Sequence, residues 1–409
     1  MKKIRACFDF VSSLVHLLGK CAMNGSMKPS KVTGKGARLW GYRLLVCVAV
    51  LMALLGVVVP TISRIAHAAP SITNAFVFRL SQNADVLVGS ANVDGAVKPV
   101  VWRIATPSSL SPGFHWLASV ASPQVLGTGL ADKPYGIALG LTADGQIACG
   151  YASVRADAAS GDAAVYWDLS AGTPSGVLLP GHSSGGNVAY ACAKRGSDVY
   201  IVGRTTPEFP KATIWRNGAV WYQYQQLYGI FHDITPDAAF ASAQLGYRAY
   251  IFDLSPRMGA IWLGDLQMPI EGAYSSRIAP DGSAAAFSDT NSPPPRSKVW
   301  LSGSTYSVNM AVNHVQAING VVYAYGADST PRAVRWRSDT NTLEDLNQVF
   351  ASLLPDGVVL KSVSAMTPDG RYLVGTAFNP QTGSDEPYII VTSPAGVHRL
   401  YLPLVIRER

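Results

Sequence analysis

Little in this 409-residue sequence supplies metal, redox or paired-carboxylate chemistry. Of its five cysteines, Cys7, Cys21 and Cys47 fall near the amino terminus, and Cys149 and Cys192 stand alone without the Cys/His spacing of a zinc site. Two readings of that pair stay open: a bridge between neighbouring repeat units in an oxidising compartment, or two small buried apolar side chains. Glutamate is scarce too. Between residues 70 and 400 it occurs as Glu208, Glu271, Glu344 and Glu386, beside proline or in polar segments, a poor supply for a glycosidase pair. Helical periodicity is nearly absent. One helix is expected over residues 343–354, where Leu343, Leu346, Val349, Phe350, Leu353 and Leu354 share a face and Thr342 can cap the start.

A basic stripe is also missing, although the formal net charge is +7. Residues 1–69 hold ten Lys or Arg and one acidic residue, Asp9, leaving 23 basic against 25 acidic residues in the remainder. The body is therefore nearly neutral and has no footprint for a phosphate backbone, so nucleic acid is not an expected partner. The basic excess belongs to a leader. Lys28, Lys31, Lys35, Arg38 and Arg43 precede an uncharged apolar run at 44–60, and Ala66-His67-Ala68 follows. That is the three-part layout of a secretory signal, with cleavage expected after Ala68 and an extracellular or cell-surface location for the product. The rival reading is a retained signal anchor, which would make residues 44–60 the membrane contact. Met27 offers a more ordinary start, so residues 1–26 read as an extended leader or an alternative start.

What the body does contain is repetition. An apolar run ending in glycine is followed, ten to seventeen residues on, by a small residue and an aromatic three positions later. Clear copies are Ile147-Ala148-Cys149-Gly150 with Ala164-Val165-Tyr166-Trp167, and Tyr200-Ile201-Val202-Gly203 with Ala212-Thr213-Ile214-Trp215. Tyr323-Ala324-Tyr325-Gly326 with Ala333-Val334-Arg335-Trp336, and Val86-Leu87-Val88-Gly89 with Pro99-Val100-Val101-Trp102, repeat the pattern. Weaker copies run from Ala249 to Phe252, Ser297 to Trp300, and Pro387 to Ile390 after Leu373-Val374-Gly375. Seven units at this period predict an all-β, seven-bladed β-propeller over residues 70–409, six or eight blades being the adjacent closures. Trp102, Trp167, Trp215, Phe252, Trp300 and Trp336 are expected as core rings, each needing a small residue nearby so that the next blade can approach. The turns Thr142-Ala143-Asp144-Gly145, Ala279-Pro280-Asp281-Gly282 and Thr367-Pro368-Asp369-Gly370 mark the first hairpin of a unit, and their aspartates read as turn-forming and not as calcium ligands. The terminal run 400–406 reads as a strand closing the ring or as an apolar tail.

These units resemble the extracellular HAF-repeat family, whose repeats join an Asn-Asp-Gly-type turn, a Val-Val-Gly strand and an Ala-Phe-Leu-Trp strand. The resemblance spans residues 72–395 and is strongest from Thr142 to Gly150 with Ala164 to Trp167, and from Leu346-Asn347 through Met366 to Gly375 and Tyr388-Ile389-Ile390. The histidine of the family name is absent, with Asn74, Ala163, Lys211 or Arg332 near its place. Residues 278–288 and 366–375 also resemble TolB-type propeller repeats. Both comparisons imply a propeller outside the cytoplasm, the second favouring six blades and protein docking; neither implies catalytic residues or a cofactor.

Two stretches carry candidate chemistry. Gly181-His182-Ser183-Ser184-Gly185-Gly186 matches the G-x-S-x-G elbow of hydrolases, with Ser183 as nucleophile and His314 or His398 as base. Its rival reading is a Gly/Ser loop between the second and third blades. Trp221-Tyr222-Gln223-Tyr224, with Tyr228 and His232 beyond, is the candidate binding stretch, since aromatic faces beside amides can stack on sugar rings. The rival reading packs those rings beneath a blade. The expected function is a secreted or surface-held, monomeric, non-catalytic module that binds an extracellular glycan or protein; the alternatives are an extracellular hydrolase on the same scaffold and a membrane-anchored interaction module.

Overall fold

The computed structural model describes residues 72–392, apart from 159–161, 182–184, 226–227, 247, 256–258, 266–273 and 290–295. The leader, Ser183, Glu271, His398 and the 400–406 run therefore lie outside the described residues. Among the described residues no helix is long and apolar enough to cross a membrane.

Seven four-stranded antiparallel sheets form the blades of a β-propeller. The inner strands are Ile72–Leu80, Tyr135–Leu141, Val188–Arg195, Gly229–Ile234, Tyr274–Ile278, Ala311–Ile318 and Val359–Met366, and they begin blades 1 to 7 in chain order. Each pairs with a second strand across a short turn. In the Asp-Gly turns the glycine takes positive φ, 71° at Gly145 and 73° at Gly282. The turn aspartate works locally: Thr142 Oγ1 and the Gln146 amide donate to Asp144 Oδ1 at 2.6 and 3.0 Å, and Thr367 Oγ1 and the Arg371 amide bond Asp369 in the same way.

The repeated glycine of the second strand has a physical cause beyond turn chemistry. Gly89, Gly150, Gly203, Gly326 and Gly375 sit opposite Val77, Ala138, Ala189, Val312 and Val363 of their inner strands, and each of those residues is followed by a β-bulge. The bulge brings the inner-strand backbone so near that a Cβ on the glycine would lie 1.8–2.0 Å from a carbonyl oxygen. Blade 5 has no bulge and carries Phe287 at the matching place, opposite Ser276. Blade 4 is bulged and carries Ala243.

The core lies between the blades. Seven buried apolar clusters each draw on two neighbouring blades, including one that joins blade 1 (Val77, Leu87, Trp102) to blade 7 (Val374, Ile389, Val391). Trp102, Trp167, Trp215, Phe252 and Trp336 are buried, and Trp300 is partly buried against the blade 4 and 5 cluster. The indole N–H of Trp167 donates to the Gly127 carbonyl and that of Trp215 to the Pro180 carbonyl, so the polar edge of each ring is satisfied by a loop. Cys149 and Cys192 are free, buried thiols in the cluster between blades 2 and 3.

One expectation is corrected. Residues 342–345 form the outer strand Thr342–Asp345 of blade 6, and the helix is a single turn, Leu346–Val349, capped by Asp345, which accepts from the Asn347 amide. Leu343 pairs with Trp336 in the ladder and is exposed, so strand pairing overrides the helical spacing. The outer strand of blade 7 is Gly113–Trp116, from an excursion between the third and fourth strands of blade 1. Phe114 fixes this clasp, its ring edge-on to Trp116 at 4.8 Å and stacked on Tyr388 at 5.6 Å. Phe114→Ala is expected to lower stability by about 2 kcal/mol, read from a urea midpoint, because it removes a half-buried ring and both aromatic contacts.

Candidate functional site

The inner-strand bulges leave one residue unpaired and re-aim the next. In blades 2, 3 and 7 that following position is Gly140, Ala191 or Ala365; in blades 1, 4 and 6 it is Arg79, Asp233 or His314. Arg277 occupies the corresponding place in unbulged blade 5, two residues before its turn, as Asp233 stands two before Thr235.

Arg79 Nη2 and Asp233 Oδ1 make an ion pair at 3.0 Å between residues 154 apart in sequence, joining blade 1 to blade 4. The other Asp233 oxygen accepts from the Ile278 amide at 3.3 Å, which ties it to blade 5. Arg277 has no such partner. Its Nε donates to the Asn313 carbonyl at 2.7 Å and its Nη1 to the Ser276 carbonyl at 2.9 Å, and among the described residues no carboxylate lies within ion-pair distance. Loss of water in the channel, then repulsion from Arg79, bring its pKa down to about 10, against the pull of Asp233. The guanidinium is still charged at neutral pH.

Two histidines share the channel. His232, the unpaired residue of the blade 4 bulge, is buried, with its ring 5.4 Å from Tyr190; burial first, then Arg277 and Arg204, lower its pKa to about 3, with Gln244 offsetting this only in part. His314 is lowered to about 3 by desolvation and Arg79. Both rings are neutral at physiological pH, and neither Nε2 has a hydrogen-bond partner of ordinary geometry.

A cavity of about 390 Å³ opens beside this cluster. Arg79, Arg277 and Lys361 line it, together with Phe76 and the hydroxyls of Ser362, Ser364 and Thr376; Asn313 and Asp385 complete its polar wall. Lys361 follows a residue of the inner strand that precedes a second blade 7 bulge, and among the described residues it makes no ion pair, its ammonium lying 6.0 Å from the Phe378 ring. Phe76 is 43% exposed, a large apolar ring left open at a charged mouth. The arrangement can hold an anion. Two cations without carboxylate partners face one cavity, and the third is only singly paired.

The structure distributes the sequence-predicted residues differently. Trp221 and Tyr222 are half-buried on the outer strand Ala219–Gln223 of blade 3, with Tyr224 just beyond; Trp221 meets Tyr200 edge-on at 5.6 Å, and Tyr222 lies 6.3 Å from Phe231 and 6.4 Å from Phe252. These three rings are together, packed against the cluster between blades 3 and 4. Tyr228 precedes the inner strand of blade 4, and His232 lies on that strand in the channel, apart from the outer-strand rings. Ser183 is outside the described residues. The segment following it, Val188–Arg195, is a strand, where the hydrolase elbow requires a helix. Arg79, Asp233, Arg277 and Lys361 were missed by motif reading. For the first three the signal is phase, a charge two residues before the turn-opening Ser81, Thr235 or Ala279; Lys361 has no such mark.

No protein-family model matches the chain, and no curated protein does. Among solved structures it is similar to an oligogalacturonate lyase in complex with manganese, at 14% identity over 79% of this chain and 90% of that one, with a TM-score of 0.45. It is also similar to a chain of a mitotic checkpoint complex, at 12% identity over 78% and 87% of the two chains, with a TM-score of 0.48. The fold rests on the chain's own sheet topology, seven four-stranded blades of a β-propeller.

Proposed function

We propose that this protein is a non-catalytic binding module, secreted or held at the cell surface, that captures an anionic ligand at the mouth of its central channel. The observation that carries this reading is the pair of cations, Arg277 and Lys361, that line one cavity with Arg79 and have no carboxylate partner among the described residues. Holding like charges together in a partly dehydrated place costs free energy, which a bound anion returns. A volume near 390 Å³ is at the small end for ligand pockets, so the cavity suits a small molecule or one end of a chain.

The test is thermal unfolding of the full chain in acetate or sulfate against chloride at equal ionic strength. A saturable rise in melting temperature is expected for the natural sequence, because an anion that binds only the folded state stabilises it by mass action. Lys361→Gln and Arg277→Gln should each reduce the rise. An equal response to all three salts in all three proteins would remove this reading.

A further inference from the structure

Resting on that reading, we infer that the ligand is a sugar acid, a hydroxylated ring bearing one carboxylate, with the carboxylate held by Arg277 and Lys361 and the ring laid against Phe76. Three features of the cavity select this class among anions. First, Phe76 offers an exposed apolar face at the same mouth as the cations, and a ring with an apolar face of its own can cover it; a bare inorganic anion leaves it wet. Second, beside the apolar Val77, Phe78, Ala327 and Pro331 the wall includes Ser362, Ser364, Thr376 and Asn313, whose side chains can both donate and accept, which suits a ring that has an apolar face and several hydroxyls. Third, the wall includes a carboxylate. Asp385 can only accept when ionised, so it matches hydroxyl donors, and its charge opposes a dianion such as a phosphate monoester more than a monoanion. Asp233 adds to that opposition from deeper in the channel, although Arg79 and the Ile278 amide engage it.

The guanidinium fixes the carboxylate end. Nε and Nη1 of Arg277 are held by the carbonyls of Asn313 and Ser276, which orients the group, and the Asn313 side chain is itself anchored, Nδ2 donating to the Val363 carbonyl at 3.1 Å. A donor fork locked on its scaffold loses little freedom on binding. Lys361, on a different blade, supplies a second, adaptable charge.

The test is calorimetric titration of the full chain with glucuronate and galacturonate, with glucose, glucose 6-phosphate and acetate as comparators, and with a trimeric oligouronate as a separate arm. Either sugar acid is expected to bind at least about tenfold more tightly than acetate and glucose 6-phosphate, with no detectable binding of glucose. Lys361→Gln, which breaks no hydrogen bond or ion pair among the described residues, and Arg277→Gln should each weaken sugar-acid binding by about tenfold or more, the range of a charge-assisted hydrogen bond. Phe76→Ala should weaken it by about two- to tenfold and leave acetate unchanged. Tighter binding of the trimer than of the monomer would assign the ligand to the end of an acidic polysaccharide, and equal binding to a free sugar acid. Sugar phosphate or acetate binding as well as the sugar acids, with no effect of Phe76→Ala, would overturn this inference while leaving an anion site in place. Failure of every anion to bind would overturn both.

Discussion

Acidification from pH 7 is expected to destabilise this propeller from about pH 6.5 downward, before most of its carboxylates titrate, with His232 and His314 accounting for the early loss. The folded pKa of His232 is about 3, against 6.5 for a free imidazole. Below pH 6.5 the unfolded chain takes up a proton that the folded chain refuses, so the unfolded state binds more protons and stability falls as pH falls. The contribution is fully present above pH 6.5 and is lost progressively down to about pH 3. At pH 4 the loss from this one side chain is roughly 3 kcal/mol, at 1.36 kcal/mol per unit of pH below 6.5. His314 acts in the same direction. The cause is local: a buried ring beside the Arg277 and Arg204 guanidiniums cannot become an imidazolium without opposing two like charges. Urea midpoints measured at pH 7, 5.5 and 4 should fall steadily for the natural sequence and about half as far for His232→Asn, in which His314 remains. A midpoint that does not change over that range, or an equal fall in the variant, would show that the ring is not kept neutral by the channel.

Gly89→Ala and Gly326→Ala should each cost about 3 kcal/mol or more. At both positions the added Cβ would lie 1.8 Å from a backbone carbonyl oxygen, that of Phe76 and that of Ala311. No rotamer relieves such a contact, since both atoms are fixed to the backbone, and only displacement of the bulged inner strand can make room. Overpacking a well-packed core typically costs 1–3 kcal/mol when side chains can yield, so a backbone collision belongs at or above the top of that range. Displacement would also move the channel lining: Gly89 pairs with Val77, two residues before Arg79, and Gly326 pairs with Val312, two before His314. Gly259→Ala is the comparison. That glycine also lies in a strand, but nothing lies within 4 Å of where its Cβ would be, so the substitution should change stability by no more than about 0.5 kcal/mol. Chemical denaturation of the three variants checks the ordering. Equal midpoints for Gly89→Ala and Gly259→Ala would mean that the inner strand moves aside at little cost.

The blades were legible because the signals that specify them are short-range. Gly150 and Trp167 stand in the same ladder, one opposite the inner strand and one on the third strand, and their spacing is set by hairpins that close within one unit. The Thr142-Asp144 turn is more local still. The helix expected at 343–354 shows where local pattern misleads: Leu343 has the helical phase, but the edge of Ala333–Arg337 offers backbone partners that extend the strand to Asp345. The candidate site was far less legible. A lone arginine in an apolar strand, as at Arg79, has no evident partner until Asp233 is brought to it, and Lys361 reads as an ordinary exposed lysine until the cavity beside it is known.

By itself, the sequence determined the number of repeat units, the strand-forming segments within each, the turns between first and second strands, and which aromatic rings mark the third strands. All of these rest on alternation, turn chemistry and spacing within some 50 residues, a range over which the chain has few alternatives. The tertiary structure decided what depends on the ring being closed. Gly113–Trp116 can complete blade 7 only when blade 7 presents an unpaired edge beside blade 1. Arg79 and Asp233 become partners only when blades 1 and 4 share one channel, and among the described residues Arg277 is left without a carboxylate for the same reason. Strand edges and buried charges are satisfied by whatever the closed fold places opposite them, and no local pattern records that choice.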